Sequence, residues 1–184
     1  MKKIDIRLKF DEMSILQKLV GKELTAIYHD KFEFVNSSSQ AVGFETNEFN
    51  FYLYSFVEPL DYFGSIEDVA VWSLDLNRYA LVDEKDFIKT PIKQTVKSIQ
   101  IVQENQRLYT NEAQIYDIWL TRGIVFDFGD NQILFEKAVW FSEEIYIQKG
   151  YNLIEKISPT SKIVDSDWNE GLYAECSREI VTVK

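Results

Sequence analysis

The chain has 184 residues, 46% of them hydrophobic and 15% aromatic, with 3 prolines and 7 glycines; that supplies the apolar surface for a buried core and excludes intrinsic disorder. Thirty acidic residues against 20 basic ones set a formal charge of -10, a field that repels nucleic acid and anionic membrane and attracts a basic protein. A single cysteine, Cys176, excludes a disulfide framework, and every apolar run is too short to cross a bilayer as a helix, so the expected setting is the cytoplasm.

From Met1 to Phe10, Ile4, Ile6, Leu8 and Phe10 alternate with Asp5, Arg7 and Lys9, which is the pattern of a strand and not of an export signal. Asp11 to Val20 then spaces Met13, Leu16, Leu19 and Val20 for one short amphipathic helix, with Asp11 or Ser14 as its cap and Gly21 as its stop. Period two returns with Leu24, Ala26 and Tyr28, then Phe32 and Phe34, followed by a polar turn from Asn36 to Gln40. Ala41–Glu45 and Phe49–Val57 read as a hairpin about Asn47-Glu48. Phe49, Phe51 and Leu53 face one way and Tyr52, Tyr54 and Phe56 the other, so this second strand is expected to be central in its sheet or covered by another layer.

Pro59 and Gly64 predict a loop from Glu58 to Ser65, after which Val69 to Val82 has strand character. Asp83 to Gln94 is expected to hold a short helical turn ended by Thr90-Pro91, and it is the natural boundary between two halves. Further strands are predicted at 96–102, 113–120, 123–128, 132–135, 138–141, 144–148 and 179–183, with Gly129-Asp130-Asn131 turning a hairpin from Ile124 to Phe135.

The expected fold is therefore mainly β, built of antiparallel sheets as a sandwich or barrel, with a short N-terminal helix; an α+β arrangement is the alternative. One compact domain spans 1–184. The match of Val42–Glu45 and Phe51–Leu53 to Ile124–Asp127 and Ile133–Phe135 also permits two repeated halves, at about 1–90 and 91–184.

Reactive side chains are sparse. His29 is the only histidine, flanked by Asp30, and Cys176 lies two residues before Arg178 but beside Glu175; a structural role suits each better than catalysis. Asp165 to Gly171 places oxygen ligands at alternate positions as a calcium loop does, yet its glycine falls seventh and Cys176 occupies the twelfth place, where a glutamate belongs. Asp127-Phe128-Gly129 spells a magnesium motif without the glycine-rich loop that would accompany it, so it reads as a hairpin turn. No catalytic residue, metal or cofactor is expected.

The expected function is a non-enzymatic protein-binding domain, of inhibitor or immunity type, that engages a basic partner through an acidic, aromatic face. Residues 30–86 carry twelve acidic residues against only Lys31, Arg78 and Lys85, and within them Glu45, Glu48, Tyr52, Tyr54 and Asp61 are the candidate partner-binding residues. Two other classes are open. Paired carboxylates such as Glu143-Glu144, or Glu45 with Asp127, together with aromatic platforms, suit a carbohydrate-binding or carbohydrate-processing protein, and aromatic two-faced strands suit a self-associating homo-oligomer.

Overall fold

The computed structural model describes residues 1–32, 36–77, 87–138, 141–161 and 171–184. Its elements in chain order are β1 (Lys2–Ile6), α1 (Phe10–Leu19), β2 (Glu23–His29), β3 (Ser37–Ser39), β4 (Ala41–Thr46), β5 (Asn50–Tyr62) and β6 (Ser65–Asp75). These are followed by β7 (Ile88–Thr95), β8 (Ser98–Thr110), β9 (Ala113–Asp127), β10 (Gln132–Lys137), β11 (Glu144–Gly150), a 3-10 turn at Leu153–Lys156 and β12 (Leu172–Val183). Among the described residues strand accounts for 66% and helix for 9%, in two antiparallel sheets of which one is curled into a half-barrel. The fold is mainly β, as the period-two pattern predicts.

The smaller sheet runs β6-β5-β4-β2-β7, and the larger runs β12-β8-β9-β10-β11-β3 with β1 added in parallel beside the first half of β9. Both contain a four-strand meander and a fifth strand that returns to the meander's first strand. In one sheet these are β2, β4, β5, β6 and then β7; in the other, β8, β9, β10, β11 and then β12. The second hairpin of each meander also has matching register, Phe44 opposite Phe51 and Phe126 opposite Ile133. β3 breaks the parallel: it leaves the chain between β2 and β4, crosses to the larger sheet and pairs Ser37–Ser39 with Tyr146–Glu144.

The core lies between the sheets, centred on Phe44. Its ring stacks on Phe51 at 4.5 Å and meets Phe126 at 5.4 Å and Phe135 edge-on at 5.0 Å. Fully burying each such side chain contributes ~1.5–3 kcal/mol. The helix buries Ile15, Leu16 and Leu19 against this core. β5 is central, between β4 and β6, and its second apolar face carries Tyr52, Tyr54 and Phe56, with Phe87 packed on the same cluster.

Several boundaries differ from the sequence expectation. The helix begins at Phe10 and is capped by neither Asp11 nor Ser14; the backbone of Lys9 donates to Glu12 Oε2 at 2.5 Å, and Asp11 lies inside the first turn, where its charge complements the helix dipole. The loop expected at 58–65 shrinks to Phe63-Gly64, whose φ values of 54° and 100° make the tight turn. Pro59 stays in strand because β4 pairs with β5 only as far as Tyr54, leaving the proline without a neighbour on that side. The helical turn before Pro91 is replaced by β7, an edge strand that tolerates the proline and a positive φ of 52° at Lys93.

The polar turn at 36–40 contains β3. The strands expected at 113–120 and 123–128 are one strand, β9, bent at a bulge where Arg122 is the extra residue opposite Val102 and Gln103. β8 and β12 are both longer than expected. Phe34, residues 83–86 and 139–140, and positions 165–170 of the calcium-like stretch lie outside the described residues.

Candidate functional site

The outer face of the smaller sheet brings together most of the residues nominated for partner binding. Gly43 lies between Tyr28 on β2 and Tyr52 on β5; a Cβ there would stand 3.1 Å from the Tyr52 ring, so the glycine leaves room for that ring to lie across the sheet. Next along β4, Glu45 accepts hydrogen bonds from Lys89 Nζ at 2.8 and 2.9 Å, from Thr25 Oγ1 at 2.9 Å and from the Tyr28 hydroxyl. Lys89 foremost, then Tyr28 and Thr25, hold its carboxyl down to about 2. Glu48 in the hairpin turn pairs with Lys22. Tyr52 is half-buried, and Tyr54 is 0% exposed with its hydroxyl donating to the Asn77 carbonyl at 3.2 Å, so Tyr54 is a packed residue of this layer.

Asp61, the fifth nominated residue, belongs elsewhere. Beyond Tyr54, β5 and β6 project past β4 as a two-stranded arm whose residues 57–71 hold Glu58, Asp61, Glu67 and Asp68 and no basic side chain. Asp61 is engaged with Lys2, and it accepts from the Tyr116 hydroxyl and the Gly64 backbone, each at 2.9 Å. Lys2 first and Tyr116 second hold its carboxyl below the usual range. Glu58, Glu67 and Asp68 are exposed and have no ion-pair partner among the described residues. Two apolar side chains stand beside them, Val57 at 38% and Ile66 at 71% exposure.

The arm lies on the larger sheet and is fastened there. The Tyr62 hydroxyl donates to Gln106 Oε1 at 3.3 Å, Phe141 meets the Tyr62 ring edge-on at 5.7 Å, and Phe63 meets Tyr116 in the same manner at 5.4 Å. Burial raises the Tyr62 hydroxyl far above the phenol range. At the root of the arm, the ammonium of Lys137 donates to the Ala70 carbonyl and lies 5.5 Å from the centre of the Trp72 ring.

Beneath this contact runs a buried ionic network. Glu104 on β8, 0% exposed, accepts from Arg122 Nε at 3.0 Å and NH2 at 2.7 Å, from Arg178 Nε at 2.9 Å and NH2 at 2.8 Å, and from Gln106 Nε2 at 2.7 Å. Burial alone would raise its carboxyl, but the Arg122 bonds, Gln106 and the charge of Arg178 hold it below the usual range. Arg122 NH1 also donates to the carbonyls of Lys137 and Ala138, at 3.2 and 3.4 Å. Desolvation, and then repulsion from Arg122, push the Lys137 ammonium down to about 7. Glu104 is opposite Leu120, and Arg122, two residues further along β9, shares that face. This network escaped the sequence reading; its signal is the polar run Gln103-Glu104-Asn105-Gln106 inside a strand, where unpaired polar groups would be costly.

The candidate reactive groups do not assemble. His29, 4% exposed on β2, stacks on Phe32 at 4.3 Å; its Nδ1 is 2.7 Å from the Asp30 carbonyl and its Nε2 2.7 Å from Thr90 Oγ1, so both ring nitrogens are engaged. Cys176 is on β12 in the other sheet, where burial, then the nearby Glu104 charge, raise its thiol to about 12. Asp127 accepts from the Gly129 backbone at 2.6 Å in a turn where Gly129 has a φ of 94°, so it and Glu45 are each held in separate local sets of bonds. Among the described residues no cluster of three or more His, Cys, Asp or Glu side chains is placed to hold a metal ion, and no helix is long and apolar enough to cross a membrane.

Two of the recesses among the described residues lie beside groups discussed above. A cleft of about 470 Å³ lies between Arg7 and Leu8, Met13 of α1, and Glu179 and Val181 of β12; a smaller one of about 140 Å³ opens between the two sheets beside His29. These features describe a mainly β, two-sheet protein with an acidic arm fastened to the larger sheet. No family model, curated protein or solved structure matches the chain.

Proposed function

We propose that this chain is a non-enzymatic protein-binding domain that engages a basic partner through the β5–β6 arm. The observation that carries the reading is the set Glu58, Glu67 and Asp68: exposed, unneutralised among the described residues, and flanked by exposed Val57 and Ile66. Charge of one sign beside apolar anchors is the composition that steers a partner of opposite charge and then holds it. The fastening of Tyr62, Asp61 and Ala70 to the larger sheet supports a preorganised epitope, which loses little conformational freedom on binding. The face first nominated contributes less, because Glu45 and Glu48 are already paired with Lys89 and Lys22.

An inhibitor or immunity role in the cytoplasm is the form of this reading in keeping with one cysteine and a charge of -10. The five-strand order that the two sheets share is the pattern that an internal duplication leaves, and we include that origin in the proposal. The test passes a cation-exchange-retained lysate fraction over immobilised wild-type protein and over the Glu67→Lys/Asp68→Lys variant. A protein held by the wild type, released by salt and not held by the variant supports the reading. Equal retention on both overturns it.

A further inference from the structure

We infer that the recess between the two sheets beside His29 is a binding site for a short-chain organic carboxylate, independent of the acidic arm. The recess, about 140 Å³, is floored by Ile27 of β2, Ile92 of β7, Ile133 of β10 and Ile147 of β11, so each sheet contributes two strands to it. Branched side chains held on paired strands make stiff walls, and the recess is formed without any rearrangement. His29 closes one side; with both ring nitrogens engaged and its face stacked on Phe32, it is a fixed wall that offers no reactive nitrogen. In a sandwich whose core is otherwise filled by large aromatics, an apolar hollow forfeits contacts that a larger side chain at any of these four positions would make.

The head-group assignment comes from Lys149. It is directly opposite Ile133 in the β10–β11 ladder and two residues beyond Ile147, so strand alternation sends its side chain to the same inner face, at the mouth of the recess. It is exposed and makes no ion pair among the described residues. A free cation at the rim of an apolar hollow is complementary to an anion with a hydrocarbon tail. At about 30 Å³ for each water-sized group, the volume takes roughly four or five carbon groups, which selects pentanoate or hexanoate over acetate.

The test titrates the whole protein with carboxylates from acetate to octanoate, and with hexanol, following isoleucine methyl signals by NMR. Expected are shifts at Ile27, Ile92, Ile133 and Ile147, affinity rising about fourfold per methylene until the recess is full, and hexanoate bound more tightly than hexanol. Lys149→Gln, an exposed substitution that leaves the core intact, should remove the preference for hexanoate and leave hexanol binding unchanged. Ile133→Phe should abolish the binding of both, with circular dichroism verifying that it folds. Absence of methyl shifts, no dependence on chain length, or an unchanged hexanoate preference in Lys149→Gln would each overturn the proposal.

Discussion

Glu104 and Arg122 form a two-pronged ion pair with no more than 4% of either side chain exposed, beside the point where β9 bulges at the arginine. Arg178 completes the set from β12, so one carboxylate joins three strands of the larger sheet. Lys137, lowered first by its burial, also feels the positive charge of Arg122, which Glu104 offsets in part.

Removing the carboxylate should therefore be costly. Glu104→Gln leaves two guanidiniums without their counter-charge, and breaking a buried pair from one side costs ~3–5 kcal/mol, to be read from the urea midpoint. The pH dependence has a definite sign. The folded carboxyl titrates below its unfolded value, so its stabilisation is complete above about 4.3 and is lost as pH falls through the folded value. The wild type should lose stability more steeply than Glu104→Gln on acidification below that point; parallel curves would show that the pair carries no such linkage.

Lys137 should behave in the opposite sense. Its ammonium is lowered to about 7 in the fold from 10.5, so above pH 7 the unfolded chain binds more protons than the native one. The cost of burying it is full below the folded value and shrinks as pH rises toward 10.5. Lys137→Met, of similar length and without the charge, removes that cost, so the variant should gain on the wild type most at acidic pH, and the gap between the two proteins should narrow in alkaline urea titrations.

Cys176 should be a slow thiol. Burial and the Glu104 charge raise it to about 12, so the thiolate that reacts is scarce at neutral pH. The native protein should react with a disulfide reagent at least ~100-fold more slowly than the urea-unfolded chain; comparable rates would place the thiol in an open, unperturbed setting.

Gly123→Ala tests the close approach of β9 to β10. A Cβ at this position would lie 3.1 Å from the Phe135 carbonyl oxygen and 3.2 Å from Leu134 Cδ1, and the first of these is backbone that cannot swing away. Overpacking there should cost ~1–3 kcal/mol. The contrast is Gly43→Ala, where the closest atom belongs to the Tyr52 ring, an end that can move, so thermal unfolding should register a smaller loss.

The surface variant should separate binding from folding. Glu67 and Asp68 are exposed and make no ion pair among the described residues, so Glu67→Lys/Asp68→Lys should change the unfolding free energy by less than ~0.5 kcal/mol while weakening retention of a basic protein. A large loss of stability would show that the arm depends on those charges.

What could be read along the chain was local. Alternation in 41–57 and 124–135, the apolar spacing of Met13, Leu16 and Leu19, and the turn at Gly129 each involve neighbours a few residues apart, and the structure carries all of them. Residues with apolar character on both faces, such as those from Phe49 to Phe56, also announced a strand covered on two sides. Composition and charge set the class: an acidic chain with ample apolar surface and few reactive groups.

Which acids stay unneutralised was decided by tertiary structure alone. Glu45 meets Lys89 across 44 residues, Asp61 meets Lys2 across 59, and Glu104 meets Arg178 across 74. Alternation tells a side chain which face it shares, but a salt bridge needs a particular neighbouring strand at a particular register, and those follow from how the sheets are ordered. The crossing of β3, the bulge at Arg122 and the projection of the arm past β4 belong to the same class. Strand pairing is non-local, so the chain's period-two code carried the faces of this protein and its fold supplied the neighbours.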